Sequence, residues 1–107
     1  MSRINELEIL LESNPDDPFI NYALAREYEK ESSTIQAILM YEYLVNQHPN
    51  YIATYYHYAR FLYEAGNRNQ AIVLLHQGIE WGVKENDMHA VGEMRGLLAA
   101  WTDETDE

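Results

Sequence analysis

The chain has 107 residues, 47% of them hydrophobic and 23% charged, which suits one ordinary domain and is too short for two. Its formal net charge of -11, from 18 acidic and 7 basic residues, repels phosphate backbones and anionic lipid, so neither nucleic acid nor a membrane surface is an expected partner. Cysteine is absent, which excludes disulfides, thiolate metal sites and cysteine nucleophiles.

In chain order, the pattern predicts six helices, at 2–13, 18–30, 34–47, 52–65, 68–81 and 87–101. The opening residues Met1, Ser2, Arg3, Ile4, Asn5 and Glu6 lack the apolar run of a signal peptide, and nowhere do eighteen apolar residues follow one another, so a soluble cytoplasmic protein is expected. Asp17 before Pro18 is a good start for the second helix, because the aspartate can cap it and the proline needs no N–H there. Ser33 with Gln36, and Asn67 with Gln70, have the three-residue spacing of reciprocal capping at the third and fifth helices. Residues 51–58 are aromatic and β-branched and in isolation would suit a strand. Gly66 is placed to end the fourth helix in a left-handed conformation. The sixth helix carries Met88, Val91, Met94, Leu98 and Trp101 as an apolar stripe fit to cap a stack. Gly78 with Gly82, and Gly92 with Gly96, would give the last two helices flat strips for close contact, unless Gly82 simply ends its helix. Asp103, Glu104, Asp106 and Glu107 follow the final apolar position, and residues 103–107 are expected to be a solvated, mobile acidic tail.

An internal repeat decides between helix and strand for residues 51–58. Laid over one another at an offset of 34 residues, 18–51 and 52–85 agree at Tyr22 and Tyr56, Ala25 and Ala59, Arg26 and Arg60, Gln36 and Gln70, Ala37 and Ala71, and Ile38 and Ile72. One further step back sets Ile4 under Ile38, Glu8 under Glu42, Leu10 under Leu44 and Pro15 under Pro49, which makes the first helix half a repeat. This period, with alanines at 25, 37, 59 and 71, large residues at 24, 28, 41, 55, 58, 62 and 75, and closing prolines at 15 and 49, resembles the tetratricopeptide repeat. The resemblance implies an all-α fold, an α-solenoid of antiparallel A and B helix pairs with a C-terminal capping helix. It divides a single domain of residues 1–102 into a half repeat (2–15), two repeats (18–51 and 52–85) and the capping helix (87–101). The sequence departs from the family pattern at Asn21 in place of an aromatic, Ser32 in place of a turn glycine, Gly78 in place of alanine and Val83 in place of proline.

The chemistry-bearing residues do not assemble into a catalytic or metal-binding pattern. His48, His57, His76 and His89 lack ligand spacing, the His76 and Glu80 pair being two ligands at most, and no phosphate loop, nucleophile elbow or dinucleotide fingerprint occurs. No cofactor or metal is expected, and no enzymatic activity. The resemblance instead implies a groove lined by A helices. The residues it turns toward that groove are Phe19, Tyr22, Arg26 and Glu29 in the first repeat and Ala53, Tyr56, Arg60 and Tyr63 in the second. Tyr22 with Arg26 and Tyr56 with Arg60 stand one helical turn apart, and tyrosine and arginine are the types that concentrate binding energy at interfaces. Tyr22, Arg26, Tyr56, Arg60 and Tyr63 are therefore the candidate binding residues, for a protein or peptide segment carrying a carboxylate. Chaperone-tail binders of the family clamp a terminal carboxylate with lysine and asparagine, but those places hold Tyr22, Arg26 and His57 here, so that ligand is not implied. Three other readings stand beside this one. The Tyr-Arg pairs could be internal packing, with Arg26 or Arg60 paired to Glu29, Glu64 or a carboxylate on the next helix. The protein could be a structural homodimer joined through its last helix, with Trp101 and the glycine strip between copies, or it could be a small acidic chaperone for a secreted protein.

Overall fold

A computed structural model describes the backbone of residues 2–105 and the side chains of residues 2–102. Among the described residues there are six helices and no strand: α1 (Arg3–Ser13), α2 (Pro18–Lys30), α3 (Thr34–Gln47), α4 (Ala53–Glu64), α5 (Arg68–Lys84) and α6 (Met88–Thr105). Within each unit, connections of three or four residues make neighbours antiparallel, so the predicted all-α architecture of helix pairs is the one observed. The aromatic stretch at 51–58 is helical from Ala53 onward. The chain divides into two compact units, residues 1–54 and 55–107.

In the first unit α2 packs against both α1 and α3. Its core is Leu7, Ile20, Leu24, Ala25, Ala37, Tyr41, Leu44 and Ile52. Asp17 caps α2 as expected, its carboxylate accepting from the backbone N–H of Phe19 at 2.9 Å and of Ile20 at 3.3 Å. Asn21 is buried where the family pattern has an aromatic, because its amide donates to the Pro15 and Asp17 carbonyls at 3.3 and 2.8 Å and closes the turn that those residues make. Tyr28 spans to α1, its hydroxyl donating to Glu8 at 2.9 Å.

The second unit has a core of Tyr55, Tyr58, Ala59, Leu62, Ala71, Leu74, Leu75, Val91, Met94 and Trp101. Four of the five residues of the α6 stripe face inward to some degree, whereas Met88 at its start is exposed. The glycines behave differently from the expected pair of strips. A Cβ on Gly78 would lie 2.5 Å from the Cβ of Tyr55 and 2.7 Å from the Met94 sulfur, and one on Gly82 would lie 2.7 Å from a Val91 methyl. Gly82 therefore sits inside a helix that continues to Lys84, and large side chains of α6 fill the space that it and Gly78 leave. Gly92 and Gly96 meet nothing within 4 Å and are exposed.

Three helices end in the same way. Ser32, Gly66 and Asn86 adopt φ of 59°, 95° and 58°. In each case the next N–H donates back across the turn, from Ser33 to Tyr28, Asn67 to Leu62 and Asp87 to Gly82, at 2.8 to 2.9 Å. This closure explains why the reciprocal caps at Ser33 and Asn67 do not form. The backbone N–H that Gln36 or Gln70 would accept from is already committed to the preceding helix, and neither Ser33 nor Asn67 makes a side-chain cap bond. Helix α6 runs to Thr105, so the backbone of residues 103–105 is helical where a mobile tail was expected, and residues 106 and 107 lie outside the described residues.

Two substitution pairs check these assignments by urea unfolding. Gly78→Ala is expected to cost about 1–3 kcal/mol by overpacking, whereas Gly92→Ala, on an open helical surface, should stabilise by about 0.5–1 kcal/mol. Gly66→Ala should cost about 1 kcal/mol through its backbone conformation alone, and Ser32→Gly should recover a similar amount. Equal effects at Gly78 and Gly92, or a neutral Gly66→Ala, would contradict the packing and the turn geometry respectively.

Candidate functional site

The five candidate residues lie on the A helices α2 and α4, one group in each unit. In the first unit Arg26 is engaged internally. Its Nη1 lies 3.5 Å from both carboxylate oxygens of Glu29, one turn along α2. The Tyr41 hydroxyl, on the buried face of α3, donates to the same carboxylate. Burial and the neighbouring Glu29 carboxylate push the Tyr41 phenol far above its ordinary pKa, so it stays a donor. Burial disfavours the Arg26 charge, but Glu29 and Tyr41 more than offset this and the net shift is upward. Tyr22 tilts its ring against Tyr51 with centroids 5.7 Å apart, and burial raises its pKa.

The second unit repeats the pair but not its surroundings. The Arg60 guanidinium lies 5.9 Å from the Tyr56 ring centroid, within reach of a cation–π contact. Its carboxylate neighbour is Glu64, with Nη2 to Oε2 at 3.5 Å and side chains 48% and 68% exposed, a surface pair of small energetic weight. Tyr63, the fifth candidate, is covered. It stacks on Trp101 with centroids 4.0 Å apart and planes within 5°, and the Arg68 guanidinium lies over the ring at 4.8 Å. Tyr63 thus fastens α6 to α4. Trp101, which the homodimer reading placed between copies, is 6% exposed in the single chain because Tyr63 covers it.

A further cluster escaped the sequence reading. Asp16, in the turn between α1 and α2, accepts from the Tyr43 hydroxyl on α3 and lies 3.1 Å from His48 Nε2 at the end of α3. The Tyr43 and His48 rings meet edge-on at 6.0 Å. These hydrogen bonds, Tyr43 first and His48 second, hold the Asp16 carboxyl below its ordinary pKa. Sequence separations of 27 and 32 residues hide such a contact from any local spacing rule. Elsewhere, His89 and Glu93 form an exposed pair at 3.5 Å. Among the described residues no group of three or more histidine or carboxylate side chains could hold a metal ion, and no helix is long and apolar enough to cross a membrane.

The family model for the tetratricopeptide repeat matches residues 29–93. The chain belongs to the tetratricopeptide repeat family. A solution structure of a tetratricopeptide repeat domain protein from Salinibacter ruber is similar at 32% identity and a TM-score of 0.77, covering 80% of this chain and 87% of that one. A crystal structure of a tetratricopeptide repeat domain protein from the same organism gives 32% identity and a TM-score of 0.74, with 78% and 93% coverage. A protein from Bordetella parapertussis, at 18% identity, shares the fold, with a TM-score of 0.82 over 97% of this chain and 90% of that one. No curated protein matches the chain. Tetratricopeptide repeats serve in general as protein-interaction modules, and the chain is assigned to that broad class.

The Asp16 cluster gives this tetratricopeptide repeat protein an acid-sensitive tie. A carboxyl whose folded pKa lies below its unfolded value of about 3.9 stabilises the fold above that value. The contribution disappears as the pH falls through the lower, folded value. Asp16→Asn is therefore expected to lower stability at neutral pH and to narrow its gap from the wild type below about pH 4. Melting curves taken from pH 7 down to pH 2 would show this, and a gap independent of pH would remove the carboxylate from the account.

Proposed function

We propose that the chain is a non-catalytic module that holds a segment of another protein against the exposed face of its A helices, with a carboxylate of that segment as the recognised group. The observation that carries this reading is the Tyr56 and Arg60 pair. An aromatic face and a planar guanidinium lie within 5.9 Å of each other, and the carboxylate nearest the cation is a weakly held surface glutamate. An overall charge of -11 makes an exposed arginine a local exception, which favours an acidic group at that place over acidic groups elsewhere on the surface. Tyr22 and Arg26 offer the same two residue types on α2, and Tyr63 supports the α4 face from behind by holding α6. Against the homodimer alternative stands the coverage of Trp101 and of the Gly78 and Gly82 strip within one chain.

Affinity capture of partners from the native cell tests the reading. Arg60→Ala should weaken capture by about tenfold or more, equivalent to about 1.4 kcal/mol, and Arg60→Lys by less, since it keeps the charge and loses only the fork. Tyr56→Ala should also weaken it. The two Arg60 changes should not shift the melting temperature much, because that side chain is exposed, whereas Tyr56 is half-buried and its variant is compared at a temperature where it remains folded. Capture unchanged by Arg60→Ala would remove this face from the function.

A further inference from the structure

The two units carry the same arginine, each 3.5 Å from a glutamate of its own helix, but the two glutamates are held differently. In the first, a carboxylate already occupies the arginine, and that carboxylate is held from a second side by a buried hydroxyl: Arg26, Glu29 and Tyr41 form a closed set. At the offset of 34 residues Arg26 matches Arg60, but Glu29 matches Tyr63 and Tyr41 matches Leu75. The second unit thus keeps the cation but has neither a carboxylate nor a hydroxyl-bearing α5 residue at the two matching positions. Tyr63 has turned to Trp101 and Arg68, and Leu75 is fully buried in the core. What stands near Arg60 instead is Glu64, at the same 3.5 Å as Glu29 from Arg26 but 68% exposed where Glu29 is 20% exposed.

We infer that Glu29 is a built-in occupant of an arginine site which the second unit leaves for an acidic side chain of the partner, so that Arg60 reads the ligand and Arg26 does not. The inference rests on the proposed binding role and narrows it to one unit and one chemical group. Glu29 shows within the same molecule what the Arg60 site accepts: a glutamate-like carboxylate approaching the guanidinium with both oxygens, beside a tyrosine ring one turn earlier on the helix. An arginine fork matches that group and gains much less from a neutral amide of the same shape, whose single oxygen accepts without the opposite charge. A second carboxylate at Arg26 would be repelled by Glu29, which the Tyr41 hydroxyl holds in place, whereas the more exposed Glu64 swings into solvent with little loss.

The probes are N-acetyl-glutamate amide and, as its uncharged control, N-acetyl-glutamine amide, each titrated into the full chain while the arginine Nε–Hε signals are followed by NMR. With the glutamate probe the Arg60 signal is expected to shift in a saturable manner and the Arg26 signal to stay in place. The glutamine probe should move neither. In Glu29→Gln, which keeps the side-chain shape, Arg26 should become responsive as well, and Tyr41→Phe should produce a partial version of the same change. Equal responses of Arg26 and Arg60 in the wild type would overturn the idea that Glu29 occupies its site, as would a silent Arg26 in a folded Glu29→Gln variant. If Glu29→Gln does not fold, the wild-type contrast between the two arginines decides. A silent Arg60, in a protein whose partner capture still depends on Arg60, would remove the carboxylate specificity and leave the binding face standing. Capture indifferent to Arg60→Ala would remove the face itself.

Discussion

Two helices can approach only as far as the side chains between them allow, and the pairings in this protein depend on positions with almost no side chain. Ala25 and Ala37 in the first unit, and Ala59 and Ala71 in the second, are all completely buried. Gly78 and Gly82 take the same requirement further, since even a methyl group there would collide with Tyr55, Met94 or Val91. With the backbones this close, large residues such as Tyr41, Tyr58 and Leu75 fill the space on either side, and the outward faces are free to vary. The exposed faces of the A helices are therefore a by-product of where the small residues lie.

Within that frame the two repeats have put the same positions to different uses. Glu29 and Tyr41 convert the first unit's arginine into part of an internal polar network. Their counterparts Tyr63 and Leu75 convert the second into an aromatic anchor for α6 and an apolar core.

Much of this was legible in the sequence because it is local or periodic. The 34-residue offset placed the four alanines, and Asp17 before Pro18 marked the start of α2, since a cap depends only on residues two or three apart. The glutamines at 36 and 70 misled for a reason that is also physical. The spacing of a reciprocal cap was present, but the N–H it requires had been taken by the turn closing the preceding helix, and spacing alone does not reveal competition for a donor. The stacking of Tyr63 on Trp101 and the meeting of Asp16 with Tyr43 and His48 depend on how elements pack, so no motif announces them. A signal for the Arg26 network was nevertheless available: Glu29 and Tyr41 are both replaced in the second repeat while the arginine is kept.

The aromatic anchor also determines how the molecule can be watched. Both tryptophans, Trp81 and Trp101, belong to the second unit, and the first contains only tyrosine and phenylalanine as ring chromophores. Trp101 lies sealed under Tyr63, while Trp81 is half-buried with the Lys84 ammonium 4.6 Å from its ring. Intrinsic indole emission is thus a private reporter of residues 55–107 and of the seating of α6, blind to the opening of the other half. Repeat arrays join their units through nearest-neighbour coupling. Laying the fluorescence transition over the helical dichroism transition, which counts both halves, would separate the melting of one repeat from the melting of the whole.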